Sequence, residues 1–483
     1  MSGTGPMAAF RRHPRAWLGA ALAAAIILVG GVAFGVGAAV GAPRVIARAP
    51  VTTTSTPTPT ATVRAVPSDI PTPVAFPTCS VAKLKNDPAL GAVAASVVDA
   101  DTGQSIYSVN GSIAAAPASV MKLITAGAAL RALGPNYQIE TQVTANPADP
   151  SGVILVGGGD PVLTAGGGTY FPGAASVVDL AQQTAQYWTA NFPGVALAHI
   201  TPDATLFAGS TWLDTWDRAA EHDANDGSTP DIVALEVDGD RATPTALSSK
   251  RLHDGPGAIQ AAGQAFATAL AAALGQAPTS IAVDPPATAH VDGAAVLGSV
   301  LSPPVATLVH EALLYSDNTV MEYLARLVAI KEGVGNTFAD EDTAMKQAMQ
   351  AYGLDPTALS IFDGSGLSSA DAVPPAFLTR YLVKINSGDE DLKTIYDALP
   401  IAGRTGTLAS RFTGQAAVAR GQVNAKTGTL SNAATIAGII HAKDGSVLSF
   451  AIFAEKTDPN AARAALDNLA AGFYSCGLNI AKY

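Results

Sequence analysis

Ser119-Val120-Met121-Lys122, Ser316-Asp317-Asn318 and Lys426-Thr427-Gly428-Thr429 occur in this order along a chain of 483 residues. Each string is weak evidence alone, because short combinations of Ser, Lys, Asn and Gly are common in proteins. Together they are typical of a serine acyl-transfer site in which a lysine replaces histidine as the proton carrier.

The first string lies where a helix is predicted to begin. Pro117 precedes it, and the apolar run that follows stops at Gly134-Pro135, which are usual helix boundaries. On the first turn, Lys122 shares a face with Ser119, so its amine can reach the hydroxyl. The amine must be neutral to take the proton, and burial favours that form. The Ser119 N–H at the helix start can donate to an oxyanion. The alternative is a surface Ser and Lys on an ordinary helix.

The second string is predicted to form a turn between two helices. An amphipathic run ends at Tyr315, and a helical pattern resumes at Thr319. Such a turn can project Ser316, as a proton relay to a leaving amine, and Asn318, as a ligand for a substrate amide. The alternative is an ordinary N-cap and turn, which the same residue types favour.

The third string is predicted to lie on a strand, because strand-like runs follow at 434–440 and 447–453. Gly428 would let a substrate backbone approach closely. Lys426 adds positive charge, Thr427 and Thr429 offer hydroxyls to a carboxylate, and the Thr429 N–H can complete the oxyanion hole. A near-duplicate, Arg404-Thr405-Gly406-Thr407-Leu408, lies upstream. We favour Lys426 because hydrophobic strands surround it.

These strings resemble the penicillin-binding serine D-Ala-D-Ala carboxypeptidases of class C, type 4, which can also act as endopeptidases. Three further segments resemble that group: Val156–Thr164 with Gly-Asp-Pro, Asp363-Gly-Ser-Gly-Leu-Ser368, and Gly406-Thr-Leu-Ala-Ser-Arg411. The resemblance extends from about residue 80 to the C-terminus. It implies an α/β multi-domain protein with the penicillin-binding/beta-lactamase-like transpeptidase fold, in which helices flank an antiparallel sheet.

The resemblance also implies roles for particular residues. The implied catalytic residues are Ser119, Lys122, Ser316, Asn318 and Lys426, and the implied substrate-binding or oxyanion residues are Thr427, Gly428 and Thr429. Two positions depart from the family pattern. Ser369 stands where the family often has an arginine, and Asp217 is only a loose match to an acidic residue that binds the third residue of the peptide.

The interval of 197 positions from Ser119 to Ser316 predicts an inserted domain between the first and second motifs. A class A beta-lactamase has far less chain there and uses a Glu-x-x-Leu-Asn string, which this sequence lacks. We predict a catalytic domain in two parts, 79–140 and 298–483, with the insertion at 141–297. Within the insertion, strand-like runs at 152–157, 232–237 and 281–283 alternate with helical patterns at 174–187 and 258–274.

Residues 16–43 are uncharged and long enough to cross a bilayer. The arginines before them predict a cytoplasmic N-terminus at 1–15 and a transmembrane anchor at 16–43, with a cleaved signal peptide as the alternative. Residues 44–78 are a Thr/Pro-rich linker that cannot build a core. The folded region is therefore expected on the extracytoplasmic side (periplasm or cell wall), either anchored to the membrane by this single N-terminal segment or secreted after cleavage.

The only two cysteines, Cys79 and Cys476, bracket the folded region, and exported proteins favour paired cysteines. We predict one disulfide between them, with two unrelated thiols as the alternative. The C-terminal segment 460–475 is predicted to be the helix that this disulfide holds.

No cofactor and no metal is predicted. An acidic stretch at 214–226 contains Asp214, Asp217, Glu221, His222, Asp223 and Asp226; we interpret it as a solvated loop because no metal-ligand spacing recurs. Residues 1–50 hold five of the 28 basic residues and none of the 39 acidic ones. The acidic remainder argues against nucleic acid as a partner.

The resemblance implies an exported serine-type D-Ala-D-Ala carboxypeptidase, with DD-endopeptidase activity at the same residues. Its partners would be peptidoglycan stem peptides, with beta-lactams as covalent inhibitors and the membrane contacted through the N-terminal segment. Two alternatives stay open. One is a beta-lactamase-like hydrolase, and the other is a catalytically degenerate scaffold that binds the cell wall.

Overall fold

The computed structural model describes residues 78–388 and 390–481. The predicted N-terminus at 1–15, the apolar segment at 16–43 and nearly all of the linker lie outside the described residues. Among the residues described, no helix combines the length and the apolar character needed to cross a membrane.

Ten strands and eleven α-helices are found in the described part of the chain. The strands are β1 (Ala92–Asp99), β2 (Ser105–Val109), β3 (Glu140–Ala145), β4 (Gly152–Val156), β5 (His199–Asp203), β6 (Ala282–Val283), β7 (Val296–Leu301), β8 (Val423–Leu430), β9 (Ala433–His441) and β10 (Val447–Glu455). The helices are α1 (Ala82–Lys85), α2 (Lys122–Ala132), α3 (Val177–Asn191), α4 (Arg218–Glu221), α5 (Gly255–Ala273), α6 (Val305–Tyr315), α7 (Asn318–Lys331), α8 (Phe338–Ala351), α9 (Pro375–Asn386), α10 (Glu390–Ala398) and α11 (Pro459–Cys476).

The first sheet joins strands from both ends of the described chain. Its order is β2-β1-β10-β9-β8, and every neighbouring pair is antiparallel. The predicted hairpin between β1 and β2 is present, with Gly103 in a left-handed conformation in its turn. Strand β8 is an edge strand and carries the third motif, with Lys426 opposite Ala437 of β9. The antiparallel sheet predicted for the catalytic region is therefore confirmed.

Helices cover this sheet on both faces, so its central strands alternate between two apolar environments. On β9, Ile436 and Ile440 pack into the core shared with α11. Their neighbours Ala437 and Ile439 pack into the core that contains α2, α6, α7, α8 and α9. Helix α2 is buried along most of its length, which fixes the first motif inside the helical layer.

The second sheet lies between the first two motifs in sequence. Its order is β6-β5-β4-β3-β7; β3 is antiparallel to β4 and β7, while β5 is parallel to β4 and β6. Helices α3 and α5 pack with it around a separate core. The predicted boundaries of the inserted domain at 141 and 297 stay a prediction.

One strand prediction in this region is wrong. Residues 232–237 do not form a strand, although all of them except Glu236 are apolar and all except Val237 are buried. Their main-chain groups bond to separate loops: Ile232 N donates to Thr211 O, and Ala234 O accepts from Gly159 N. The positive φ angles at Asp238, Gly239 and Asp240 then turn the chain away. Burial without a neighbouring strand partner explains the apolar run.

The predicted disulfide between Cys79 and Cys476 is present, and it joins residues 397 positions apart. Cys476 is the last residue of α11, and Cys79 makes a parallel bridge with Ile480. The two ends of the described chain are therefore linked covalently at one edge of the helical layer.

Candidate active site

Ser119 lies in a short 3₁₀ helix, Ala118–Met121, that continues directly into α2. Ala118 has a φ of 48°, a left-handed conformation that costs energy for a residue with a Cβ. Two glycines pack against this turn: a Cβ on Gly366 would overlap the Ala118 carbonyl oxygen, and one on Gly428 would lie 2.9 Å from Pro117 O. Gly428 therefore accommodates the protein's own turn, a contact that the sequence did not suggest.

Lys122 is completely buried, and its Nζ has three oxygen neighbours. These are Ser119 Oγ at 3.0 Å, Asn318 Oδ1 at 2.6 Å and the Ser365 carbonyl oxygen at 2.8 Å. The predicted proximity of Ser119 and Lys122 is thus seen in the structure. Neither Asn318 nor Ser365 is near them in sequence, so the fold brings three separate segments to one amine.

The second motif is the predicted turn between two helices. Ser316 ends α6 in a left-handed conformation, with a φ of 65°. Asp317 caps α7 by accepting from Val320 N at 3.1 Å, and it also accepts from the Tyr170 hydroxyl at 2.7 Å. This anchoring on both sides offsets the backbone strain at Ser316 and directs its side chain into the cleft.

A buried loop at 363–368 supplies the Ser365 carbonyl. Asp363 accepts from the N–H groups of Ser365, Gly366 and Ser368, at distances from 2.6 to 3.1 Å. Glu322 accepts from Ser365 N at 2.7 Å and from Gly364 N at 3.2 Å. Glu322 lies one turn after Asn318 on α7. This helix therefore positions two of the three oxygens around Lys122 Nζ: Asn318 Oδ1 directly, and the Ser365 carbonyl oxygen through the bond from Ser365 N to Glu322.

Burial governs the protonation of this cluster. It lowers the pKa of Lys122 to about 8. Nearby carboxylates oppose this decrease, and Glu322 and Asp363 have the largest effects among them. Burial also raises the pKa of Glu322 to about 8, and the charge of Asp363 adds to that increase. The amine can therefore lose its proton near neutral pH.

Lys426 is the second buried lysine of the cleft. Its Nζ lies 2.9 Å from Ser316 Oγ and 2.7 Å from the Thr427 carbonyl oxygen. Burial, together with the charge of Lys122, lowers the pKa of Lys426 well below its ordinary value. The simple expectation that Lys426 contributes a full positive charge is thus weakened by its surroundings.

A cleft of about 420 Å³ opens above the serines. Predicted residues Ser119, Ser316, Thr427, Gly428 and Thr429 line it. The sequence reasoning missed four further lining residues, which are Thr407, Ser410, Arg411 and Arg463.

The upstream near-duplicate string is not an unrelated copy. Thr407 Oγ1 lies 2.9 Å from Thr427 Oγ1, so both strings contribute a threonine to one wall. Arg411 bonds Asp467 of α11 through two nitrogens, at 2.7 and 3.2 Å. The resemblance of Gly406–Arg411 to the family's Gly-Thr-Leu-x-x-Arg segment could have indicated Thr407 and Arg411 as site residues. No sequence pattern indicated Arg463, which lies on α11.

The acidic stretch at 214–226 only partly matches the prediction of a solvated loop. Asp217 is exposed, and its carboxylate caps α4 by accepting from Ala220 N at 3.3 Å. His222 is buried, however: its Nε2 donates to the His253 carbonyl oxygen at 2.9 Å and its Nδ1 lies 2.7 Å from Asp223 Oδ1, while Glu221 accepts from the Ser228 hydroxyl. A role for Asp217 in binding substrate stays a prediction. Within residues 78–388 and 390–481, no cluster of three metal-ligating side chains occurs.

Comparisons with known proteins agree with this geometry. The model of the D-Ala-D-Ala carboxypeptidase 3 (S13) family matches residues 78–256 and 257–473. The chain is 33% identical over 423 residues to carboxypeptidase DacB of Mycolicibacterium smegmatis, covering 85% of this chain and 87% of the relative. It is 28% identical over 440 residues to the D-alanyl-D-alanine carboxypeptidase of Actinomadura sp. strain R39, covering 76% of this chain and 78% of the relative.

Among solved structures, penicillin-binding protein 4 (dacB) from Haemophilus influenzae is similar, with a TM-score of 0.63 and 20% identity. The match covers 79% of this chain and 95% of that chain. At this identity the likeness shows the fold, and the predicted penicillin-binding/beta-lactamase-like fold class is confirmed.

Proposed function

We infer that this chain, which belongs to the D-Ala-D-Ala carboxypeptidase 3 (S13) family, removes the terminal D-Ala from peptidoglycan stem peptides through an acyl-enzyme on Ser119. The family predicted from the sequence motifs is confirmed by the family match and by the relatives that carry carboxypeptidase names. The chain is accordingly a serine-type D-Ala-D-Ala peptidase. The roles of individual residues below are our proposal.

The observation that carries the mechanism is the set of three oxygens around Lys122 Nζ. A lysine ammonium has three N–H donors and no acceptor, whereas a neutral amine keeps two N–H groups and one lone pair. The two N–H groups fit Asn318 Oδ1 and the Ser365 carbonyl, which can only accept. The lone pair then faces Ser119 Oγ at 3.0 Å, where it can take the hydroxyl proton.

In the first step, the proton of Ser119 moves to Lys122 as the hydroxyl oxygen bonds to the carbonyl carbon of the penultimate D-Ala. The negative charge passes to the carbonyl oxygen, which the N–H groups of Ser119 and Thr429 would stabilise. The tetrahedral intermediate then collapses, the C–N bond breaks, and the leaving D-Ala amine must gain a proton. Ser316 is placed to relay it: its hydroxyl, which is hydrogen-bonded to Lys426 and lines the same cleft, gives its proton to the amine and takes the proton that Lys122 received from Ser119.

In the second step, water replaces the departed D-Ala and attacks the ester on Ser119. Lys122 has passed on its proton by then, so it can again act as a base, this time toward the water. The ester bond breaks, the shortened peptide leaves with a carboxylate, and the proton returns to Ser119. Each residue ends the cycle in its starting state.

The wall of the cleft opposite Lys122 is called the basic wall here, and it is formed by Lys426, Thr427, Thr429, Arg411 and Arg463. This wall suits the carboxylate of the terminal D-Ala. Thr427 and Thr429 offer hydroxyls, and Arg411 and Arg463 are guanidinium groups that line the cleft. Arg411 is already paired with Asp467, so Arg463 is the more available cation. Asn318 would bind the amide of the acyl group, which places the scissile bond between this amide and the basic wall.

A penicillin presents a strained amide and a carboxylate to the same groups. We expect it to acylate Ser119 with opening of the ring, so that no fragment leaves and water is slow to release it. Cross-links between stem peptides contain the same D-Ala carbonyl, and their cleavage as an endopeptidase would use the same residues.

We propose that the enzyme acts outside the cytoplasm. The uncharged segment at 16–43 follows three arginines, which fits an anchor or a signal peptide. The disulfide between Cys79 and Cys476 fits an oxidising compartment. Fractionation of the producing cells would test this proposal: recovery of the chain only in the cytosolic fraction, with both thiols free, would overturn it.

The test of function is the intact mass of the purified full-length chain after incubation with penicillin G, beside Ser119→Ala. We expect the wild type to gain the mass of one whole penicillin and the variant to gain none. Release of D-Ala from a D-Ala-D-Ala peptide should be lost in the same variant. Rapid hydrolysis of penicillin without an adduct would favour the beta-lactamase alternative, and absence of any reaction would favour a degenerate scaffold.

A further inference from the structure

Asn318 is connected to a chain of hydrogen bonds that leads away from the cleft. Its Nδ2 donates to Ser228 Oγ at 2.7 Å, and the Ser228 hydroxyl in turn donates to Glu221 Oε2. Both Ser228 and Glu221 belong to the region between the first two motifs. The other end of the Asn318 amide, Oδ1, accepts from Lys122.

The direction of this chain is fixed by chemistry at its outer end. An ionised carboxylate can only accept, so Glu221 requires the Ser228 hydroxyl to donate. Ser228 Oγ is then available as an acceptor, and the only donor of the Asn318 side chain is its NH₂ group. The amide oxygen of Asn318 must therefore point toward Lys122. Without this constraint the two ends of an amide are nearly equal in shape, and both orientations fit the same space.

The orientation of Asn318 determines where the lone pair of Lys122 points. With Oδ1 toward Lys122, the neutral amine donates to Asn318 and to Ser365, and its lone pair is left for Ser119. With Nδ2 toward Lys122, Asn318 would donate instead, and the lone pair would be used there. Ser119 would then face an N–H group and would lose its base.

We propose that Glu221 and Ser228 are positioning residues that hold the Asn318 amide in the orientation needed for Lys122 to accept the proton of Ser119. This inference rests on the proposed function of Ser119 and Lys122. It assigns to the inserted region a part in the chemistry at the first motif. Because Nδ2 has two N–H groups, donation to Ser228 leaves the second for the substrate amide.

The main chain holds this pair in place independently of the side chains. The Glu221 carbonyl accepts from Ser228 N at 2.7 Å and from Thr229 N at 3.0 Å. Gly227 lies in the tight part of this loop, where a Cβ would be 2.9 Å from the carbonyl oxygens of Glu221 and His222. The loop is therefore closed before Ser228 meets Asn318, which is the arrangement expected of a positioning element.

Several charged groups face Lys122, and all of them enter the expected pH dependence. Glu322 and Asp317 approach from the start of α7, Asp363 from the buried loop, Glu221 from the inserted region, and these four raise the pKa of Lys122. Lys426 faces it from β8, and the two lysines repel each other. Loss of the Glu221 charge, or of the Asn318 acceptor, lowers the pKa of Lys122, so the neutral amine persists to lower pH.

The test is the rate constant for acylation by a fluorescent penicillin, from about pH 6 to about pH 10, which brackets the Lys122 pKa. It uses the purified full-length wild type, Ser228→Ala, Glu221→Gln and Asp226→Asn. Asp226 is an exposed carboxylate of the same loop, so Asp226→Asn controls for a lost surface charge. The thermal unfolding midpoint of each variant is measured in parallel.

For Ser228→Ala we expect the plateau rate to fall about 10-fold, the effect of one lost hydrogen bond to a reacting group, and the acidic limb to move to lower pH. Glu221→Gln keeps an acceptor for Ser228, so its plateau should stay within about threefold while its acidic limb moves the same way. Asp226→Asn should match the wild type.

A Ser228→Ala profile equal to the wild type, or lowered with an unshifted acidic limb, would overturn the proposal, since the second result indicates a structural role only. A Glu221→Gln profile equal to that of Asp226→Asn would remove Glu221 from the chain of bonds. Failure of the wild type to be acylated would refute the proposed function instead, so the two failures are distinguishable.

Discussion

The two walls of the cleft each hold a fully buried lysine about 3 Å from a serine hydroxyl, yet their surroundings have opposite charge. Lys122 is faced by four carboxylates, which form the acidic wall: Glu322, Asp363, Asp317 and Glu221. Lys426 is faced by Lys122, and its wall continues with the guanidinium groups of Arg411 and Arg463.

This difference separates two tasks that use the same residue pair. Carboxylates keep the pKa of Lys122 near neutral despite its burial, so this amine can both take and return a proton. Lys426 has no such support, and its pKa is lowered well below the ordinary value. The basic wall is suited to an anionic substrate group, which would itself favour the charged form of Lys426 when bound.

The comparison is tested most strongly by removing Lys122. In Lys122→Met the serine loses its base, and we expect the acylation rate to fall about 10³-fold or more. Methionine has a similar length and fills the same space, so the fold should be retained. Stopped-flow or gel-based acylation with a fluorescent penicillin measures the rate. Retention of more than a tenth of wild-type acylation in a folded variant would exclude Lys122 as the base.

Lys426→Met should have a smaller effect, about 10²-fold, because it disturbs the proton relay through Ser316 and the anionic subsite but leaves the base intact. The loss should appear both in acylation by penicillin and in release of D-Ala. If Lys426→Met were as damaging as Lys122→Met, the assignment of separate tasks to the two walls would fail.

The contribution of the acidic wall is isolated by Glu322→Gln, which keeps the shape and removes the charge. Loss of a carboxylate lowers the pKa of Lys122, so the acidic limb of the acylation profile should move to lower pH by up to about one unit. The plateau should fall about 10-fold, because an amide NH₂ replaces one of the two oxygens that accept from Gly364 N and Ser365 N.

Glu332→Gln is the matched control for this change. Glu332 directly follows the same helix, α7, and is exposed, so its replacement should leave the pH profile in place. An unshifted acidic limb in Glu322→Gln would show that the acidic wall does not set the protonation of Lys122.

Sequence reasoning assigned no site role to Glu322 or Asp363 of the acidic wall. Of the basic wall it predicted Lys426, Thr427 and Thr429 but not Arg411 and Arg463. Ser119 and Lys122 are three positions apart, and helix periodicity alone brings them together. Glu322 and Ser365 reach the same amine only through the packing of α7 against α2 and a loop more than 240 positions away. The resemblance of Asp363–Ser368 to a family segment was the signal for that loop, and no sequence pattern pointed to Glu322.

The fold shows the same division. Strands with continuous apolar runs, such as β9 and β10, were predicted because a sheet covered on both faces requires them. The run at 232–237 has a similar apolar pattern, and for that reason it was predicted to be a strand. It is buried but pairs with no neighbouring strand. Glu221 and His222 were read as solvated because a sequence does not show which face of a loop is covered.

The smallest expected effect comes from the outer edge of the basic wall. Arg463 is exposed near the start of α11 and lines the cleft, while the neighbouring Arg411 is paired with Asp467. An exposed cation interacts weakly and is screened by salt, so Arg463→Ala should raise KM about threefold and leave kcat unchanged. The substrate is a peptide ending in D-Ala-D-Ala with a free carboxylate.

Two controls make this small effect interpretable. The same peptide with a C-terminal amide lacks the anion, so its KM should be equal in the wild type and in Arg463→Ala. Lys331→Ala removes an exposed positive charge at the end of α7, away from the residues that line the cleft, and should leave both substrates unaffected. An equal rise in KM for the free acid and the amide would mean that Arg463 contributes shape rather than charge. The basic wall would then be limited to the threonines and to Lys426.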